Sequence, residues 1–357
     1  MDSENKILNF NNQQFYVGID VHKKNWAVTI RTGGLALKTY SMDASPQQLS
    51  RYMQEKYPGG QYNSVYEAGF SGYWTHRQLI ELGFKNIIVS PNEVPTNGKE
   101  KSYKTDSIDS RKLARELENG SIHGIYIPSQ LNQELRSLVR TRYQLMKSSA
   151  RLKNQIKSYL NFYGHIIPEN YETKHWSGIF IKHLRELSFQ NEMGKEQLEI
   201  YLSDLTEKRK LIVKTIKSIS HYCQVYGFNK VIEILMTVPG IGFITAVTIY
   251  AELMDIKRFG KLDTLANYVG LTPAVHSSGE KEHTLGLKMQ HNKYLRSLLI
   301  EAAWIAVRKD PALTASFNEY IKRMSKQEAI IRIAKKLLNR IRTVWMKNTE
   351  YVCSVVK

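Results

Sequence analysis

FYVGIDVHKKNWAVTIRTGGLALKTYSM, residues 15–42, decides the fold. Three runs rich in aromatic and β-branched residues, FYVGIDV (15–21), NWAVTIRT (25–32) and LALKTYSM (35–42), have the length and composition of strands. RTGGL (31–35) closes the second run onto the third, because adjacent glycines supply the positive φ that a tight hairpin turn requires. One residue disturbs the first run. Asp20 puts a carboxylate inside an apolar strand, where dehydration is costly unless a cation or hydrogen-bond donors compensate it.

Reading outward, SPQQLSRYMQEKY (45–57) predicts a helix, NSVYEAG (63–69) a strand, GYWTHRQLIELG (72–83) a helix and KNIIVSP (85–91) a strand. Three strands followed by an α/β alternation is the element order of an RNase H-like (RuvC-like) domain. In such a sheet the first and fourth strands are neighbours, which sets Glu67 beside Asp20. A turn-rich, basic stretch, PNEVPTNGKEKSY, then leads into KTDSIDSRKLAREL (104–117), whose Ile108, Leu113, Ala114 and Leu117 fall near helical spacing.

Thr105, Asp106 or Ser107 can cap that helix, and Asp106 and Asp109, three apart, share a face. One reading is an acidic first turn favoured by the helix dipole. The other is half of a metal site, formed if the first turn packs over the edge that carries Asp20 and Glu67. Four converging carboxylates require divalent cations, and oxygen-only ligands select Mg²⁺ or Mn²⁺. Two such ions suit phosphoryl transfer. Singly, Asp20 could cap a turn and Glu67 could pair with Lys23; acids at all three locations of this fold favour the metal reading.

The bulk charge points to the substrate class. The 357 residues hold 51 Lys+Arg against 33 Asp+Glu, a net charge of +18, and such an excess attracts polyanions, nucleic acid first. Two cysteines, Cys223 and Cys353, lack metal-ligand spacing, which excludes a zinc finger and a disulfide framework and fits a reducing, cytoplasmic compartment. The polar start MDSENKILNFNNQQ has no signal-peptide pattern. ILMTVPGIGFITAVTIYA (234–251) carries no charge, but Pro239, Gly240 and Gly242 divide it into two buried helices joined by a turn, so no membrane span is expected.

Beyond residue 128 the pattern turns helical. Residues 131–163 and 195–222 read as long helices, an antiparallel hairpin or coiled-coil arm, and 134–157 holds seven Lys/Arg against Glu134 alone. Residues 164–194 read as a turn with short helices, 231–320 as a compact, mainly helical domain, and 321–348 as one last, strongly basic helix. Three regions result: 1–128, 129–225 and 226–357. Ser277 and Ser278, before Gly279, read on local sequence as a flexible polar loop, with His276 and His283 as surface neighbours. VPGIGFITA can be a helix-hairpin-helix gripping a phosphate, or simply a tightly packed turn. Tyr73, Trp74, Tyr143 and Tyr159 can stack on bases or belong to cores.

IDVHKKNWAV, YEAGFSGYW and YKTDSIDSRKLA, in this order, resemble the D, E and D-x-x-D blocks of the DEDD transposases of the insertion sequence one-ten family, whose relatives include the Piv DNA invertases. VPGIGFITAVTIYAEL, RFGKLDTLANYVGLTPAVHSSGEKE and NKYLRSLLIEAAW resemble that family's second domain, so the likeness covers nearly the whole chain. The resemblance implies a RuvC-like amino-terminal domain, a coiled coil, and a carboxy-terminal domain whose serine, mapped onto Ser278, attacks DNA.

It further implies catalysis by Asp20, Glu67, Asp106, Asp109 and Ser278, with the four acids as metal ligands. Implied partners are target and donor DNA, a structured bridge RNA, and further copies of the chain, as dimers assembling into tetramers in the bacterial nucleoid. Two positions depart from the family pattern: Ser110 stands where alanine is common, and His291 where a glycine usually precedes the asparagine. The leading expectation is a bridge-RNA-guided DNA recombinase. A Piv-like invertase and a RuvC-like nuclease using water are the alternatives, and an inactive nucleic-acid-binding scaffold stands against all three.

Overall fold

The computed structural model describes residues 9–95, 105–168, 176–278, 281–287 and 291–353, with backbone alone for 274–278 and 281–285. The chain divides into two compact units, Met1–Ile127 and Pro128–Lys357.

The first unit is a five-stranded mixed sheet. Its elements run β1 (Gln14–Val21), β2 (Asn25–Thr32), β3 (Leu35–Asp43), α1 (Pro46–Lys56), β4 (Gln61–Glu67), α2 (Trp74–Glu81), β5 (Lys85–Val89) and α3 (Asp106–Glu118). The strand order is β3-β2-β1-β4-β5. β1, β2 and β3 pair antiparallel, whereas β4 lies parallel to β1 and β5 parallel to β4. The parallel neighbours are reached through helices, as such connections require. This is the order expected of an RNase H-like sheet.

The strand period of two sorts the residues by face. Phe15, Val17 and Ile19 of β1, Trp26, Val28 and Ile30 of β2, and Tyr62 and Tyr66 of β4 form one core with Leu49 and Met53 of α1 and Leu79 of α2. On the opposite face α3 covers the sheet, and its Leu113 packs with Val65 and Val89. Gly18 lies beneath α3: a Cβ there would stand 2.1 Å from the Ser110 carbonyl oxygen and 2.4 Å from the Ala114 nitrogen. Only a residue without a side chain lets the helix backbone come so close. Ser110, the departure from alanine, is buried, and its hydroxyl bonds the Thr29 hydroxyl of β2 at 2.9 Å. Buried polar groups need partners, and this pair ties α3 to the sheet.

The second unit is mainly helical. It comprises α4 (Gln130–Phe162), α5 (Gly178–Arg185), α6 (Glu192–Val225), α7 (Asn229–Met236), α8 (Phe243–Leu253), α9 (Leu262–Val269), a hairpin of β6 (Pro273–Ser278) and β7 (Lys281–Leu287), α10 (Arg296–Lys309), α11 (Pro311–Ile321) and α12 (Lys326–Lys347). Leu152, Ile156 and Leu160 of α4 pack with Leu198, Leu202 and Leu205 of α6 and with Phe180 and Leu184 of α5. Nearer the foot of the arm, Leu135, Val139, Ile219 and Cys223 join the core built by α7 to α12.

Two local readings change. The last helix, expected over 321–348, starts later, at Lys326, because Ser325 and Glu328 form a capping box there and Ile321 ends α11. Ser277 and Ser278 are not in a loop: they end β6, in register with Glu282 and Lys281. A two-residue connection containing Gly279 is the sequence signal of a hairpin that the loop reading overlooked. Of the two readings of the glycine turn between α7 and α8, tight packing is what is seen: Gly240 has φ +87° and a Cβ there would lie 2.5 Å from the Ala302 carbonyl oxygen of α10. No described helix is long and apolar enough to cross a membrane.

Candidate functional site

The sheet register brings the first two acids together. Gly18 pairs with Val65 and Ile19 with Tyr66 along the parallel β1/β4 ladder, and the next position on each strand is Asp20 or Glu67. The other two arrive on α3. Thr105 occupies the N-cap position without a side-chain cap bond, so Asp106 and Asp109 both stand in the first turn. Anchored by Gly18 and Ser110, that turn lies over the ends of β1 and β4.

Asp106 and Asp109 face different partners. His22 Nε2 lies 3.2 Å from Asp106 Oδ2 and 3.3 Å from Asp20 Oδ2. Lys112 Nζ lies 3.3 Å from Asp109 Oδ1 and 3.8 Å from Glu67 Oε1. Lys112 is almost wholly buried, with 8% of its side chain exposed, and it takes the place beside Glu67 that sequence reasoning offered to Lys23. One donor atom each from Asp20, His22 and Asp106 fall within 4.8 Å of one another.

The electrostatics follow from crowding. Burial raises the Asp20 carboxyl above its ordinary value, His22 lowers it, and Asp106, Asp109 and Glu67 each raise it again. All three other acids therefore act on Asp20, and holding it ionised costs free energy that a divalent cation offsets. The carboxylate oxygens suit Mg²⁺ or Mn²⁺, and His22 adds one imidazole nitrogen beside them. His22 and Lys112 went unnoticed in the sequence, although the spacing was there: His22 is two residues from Asp20, and Lys112 is three from Asp109 on one helix face.

Ser278 ends β6 in the other unit, and its side chain, like those of Ser277, His276 and His283, lies outside the described residues. In the same unit, Glu252 of α8 is fully buried and takes two hydrogen bonds from Arg140 of α4, Nε to Oε1 at 2.7 Å and Nη2 to Oε2 at 2.8 Å. Asn292 donates to the same carboxylate at 2.9 Å, while its own Oδ1 accepts from the backbone N–H groups of Tyr294 and Leu295. This network fixes Asn292 at the entry to α10. Of the aromatics, Tyr143 packs edge-on to Tyr294 and Tyr159 joins Tyr163 and Tyr201, whereas Trp74 is half exposed close after Glu67.

Residues 17–165 match the family model of a DEDD-type transposase, and residues 232–318 match that of the Transposase IS116/IS110/IS902 family. Similar proteins include the putative transposase y4qE of Sinorhizobium fredii, 26% identical over 82% of this chain and 72% of the relative. The transposase for insertion sequence element IS1111A of Coxiella burnetii is 25% identical over 76% of this chain and 73% of its own length. A pilin gene-inverting protein of Moraxella bovis is 35% identical over a shorter stretch, 30% of this chain and 34% of the relative.

Proposed function

We propose, from the premise that this chain belongs to the IS110 family of DEDD transposases, that it cleaves and exchanges DNA strands with the acids of the first unit and Ser278 of the second. The observation that carries the reading is the gathering at the ends of β1 and β4, where His22 Nε2 lies 3.3 Å from Asp20 and 3.2 Å from Asp106, and Lys112 Nζ lies 3.3 Å from Asp109 and 3.8 Å from Glu67. In this reading Asp20, Glu67, Asp106 and Asp109 hold Mg²⁺ or Mn²⁺. When bound, such ions supply Lewis-acid stabilisation of the charge that develops on the reacting phosphate.

The chain's own groups do the rest. The Ser278 hydroxyl gives up its proton and attacks phosphorus, and a deoxyribose oxygen leaves with a proton; the phosphoserine link conserves the bond energy for rejoining. Lys112 holds Glu67 and Asp109 in place. The basic helices α4 and α12 grip phosphates, with affinity that falls steeply as salt rises. A structured bridge RNA selects target and donor, and dimers assemble into tetramers on the nucleic acid. A second reading, inversion at fixed sites without guidance, is favoured by the likeness to the pilin gene-inverting protein.

The test is incubation of the protein with the DNA ends of its own element, RNA transcribed from the flanking DNA, and Mg²⁺, followed by denaturing gels. The expected result is a protein-linked DNA species that Ser278→Ala and Asp20→Ala both abolish. Recombination by Ser278→Ala removes the serine step, and recombination without RNA transfers the case to the invertase reading.

A further inference from the structure

We propose that His22 is itself a metal ligand of this site and that its imidazole shifts the ion preference from Mg²⁺ toward Mn²⁺. The inference rests on the reading that the four acids hold divalent cations, and it adds a donor that the D, E and D-x-x-D pattern does not contain.

Adjacent ligands around a small octahedral cation stand about 3 Å apart, since each lies about 2.1 Å from the ion. His22 Nε2 stands at 3.2 Å and 3.3 Å from carboxylate oxygens of Asp106 and Asp20, and the three donor atoms are mutually within 4.8 Å. The ring is placed by rigid backbone. His22 directly follows β1, and its N–H bonds the Asn25 carbonyl at 3.2 Å where β2 begins. Its side chain is 47% exposed, so an ion can reach the group without opening the sheet. Lys112 stands on the Glu67 and Asp109 side, leaving Asp20, His22 and Asp106 as the nitrogen-containing half of the cluster. Mg²⁺ prefers oxygen alone, whereas Mn²⁺ accepts imidazole, so one nitrogen in the donor set discriminates between them. The competing account is an ion pair in which His22 merely bridges two carboxylates. The two accounts predict opposite effects of removing the ring.

The experiment uses the full-length protein stripped of metal. Mn²⁺ binding is followed by the electron paramagnetic resonance signal of the free ion, Mg²⁺ by competition, and directly coordinated ¹⁴N by electron spin-echo modulation. His22→Ala is expected to weaken Mn²⁺ on the order of tenfold, to change Mg²⁺ by less than about twofold, and to erase the nitrogen modulation. His22→Asp is expected to turn the preference toward Mg²⁺, and His22→Asn, close in size to the native residue, repeats the loss if His22→Ala folds poorly. Unchanged or tighter Mn²⁺ binding by His22→Ala, or a parallel loss of both ions, overturns the role given to His22 while leaving the acids as ligands. Wild-type protein that binds neither ion overturns the underlying metal reading, and this inference with it.

Discussion

Carboxylates mark both units, and their surroundings are opposite. Glu252 is fully enclosed yet satisfied: the Arg140 fork occupies both oxygens and Asn292 adds a third bond. Burial alone would lower the Arg140 guanidinium, but hydrogen bonds and charge from Glu252 outweigh it and hold Arg140 above its ordinary value. At Asp20, burial first and then the three other acids push the carboxyl up, while His22 stands between Asp20 and Asp106 and Lys112 between Glu67 and Asp109. A carboxylate whose charge is matched is a structural pin. A set whose charge exceeds its partners is prepared for a cation supplied from solution.

That contrast breaks most visibly at the pin. Glu252→Gln leaves Arg140 partly buried without its counter-ion, and the second unit is expected to lose about 3 kcal/mol in denaturant melts, with little effect on metal binding. Gly18→Ala comes next: its Cβ would meet the Ser110 carbonyl, so α3 must lift from β1 at a cost of about 2 kcal/mol. Because α3 carries Asp106 and Asp109, divalent binding should weaken in the same variant, as calorimetry would record. Lys112→Met is smaller. It removes the cation between Glu67 and Asp109 and is expected to cost about 1 kcal/mol without metal and less with it, since both acids still reach water.

Much of this was legible. Strand composition marked β1 with Asp20 as its one disturbance, and the element order set β1 beside β4, so the neighbouring positions of Asp20 and Glu67 followed from pattern alone. The closeness of α3 did not, because only tertiary packing shows what stands above Gly18. Lys112 was hidden for a related reason: in a chain with 51 Lys+Arg a single cation draws no notice until its distance from an acid is known, and His22, one of 10 histidines, shows its two carboxylate neighbours only in the folded chain. Ser278 was misplaced locally because two serines before a glycine read as loop, while the pairing of residues 273–278 with 281–287 depends on contacts across the hairpin.

The central claim, that the acids of the first unit repel one another until a divalent cation joins them, is tested most directly by melting wild type and Asp20→Asn with and without Mn²⁺. Since the folded state raises the Asp20 carboxyl, its ionised form destabilises the fold, and stability from this group is lost as pH rises through the raised value. The prediction is that metal-free Asp20→Asn melts above wild type at pH 7, that the gap closes toward pH 4, and that Mn²⁺ raises the melting temperature of wild type alone. A metal-free variant less stable than wild type at pH 7, or a wild type that Mn²⁺ leaves unchanged, contradicts the account.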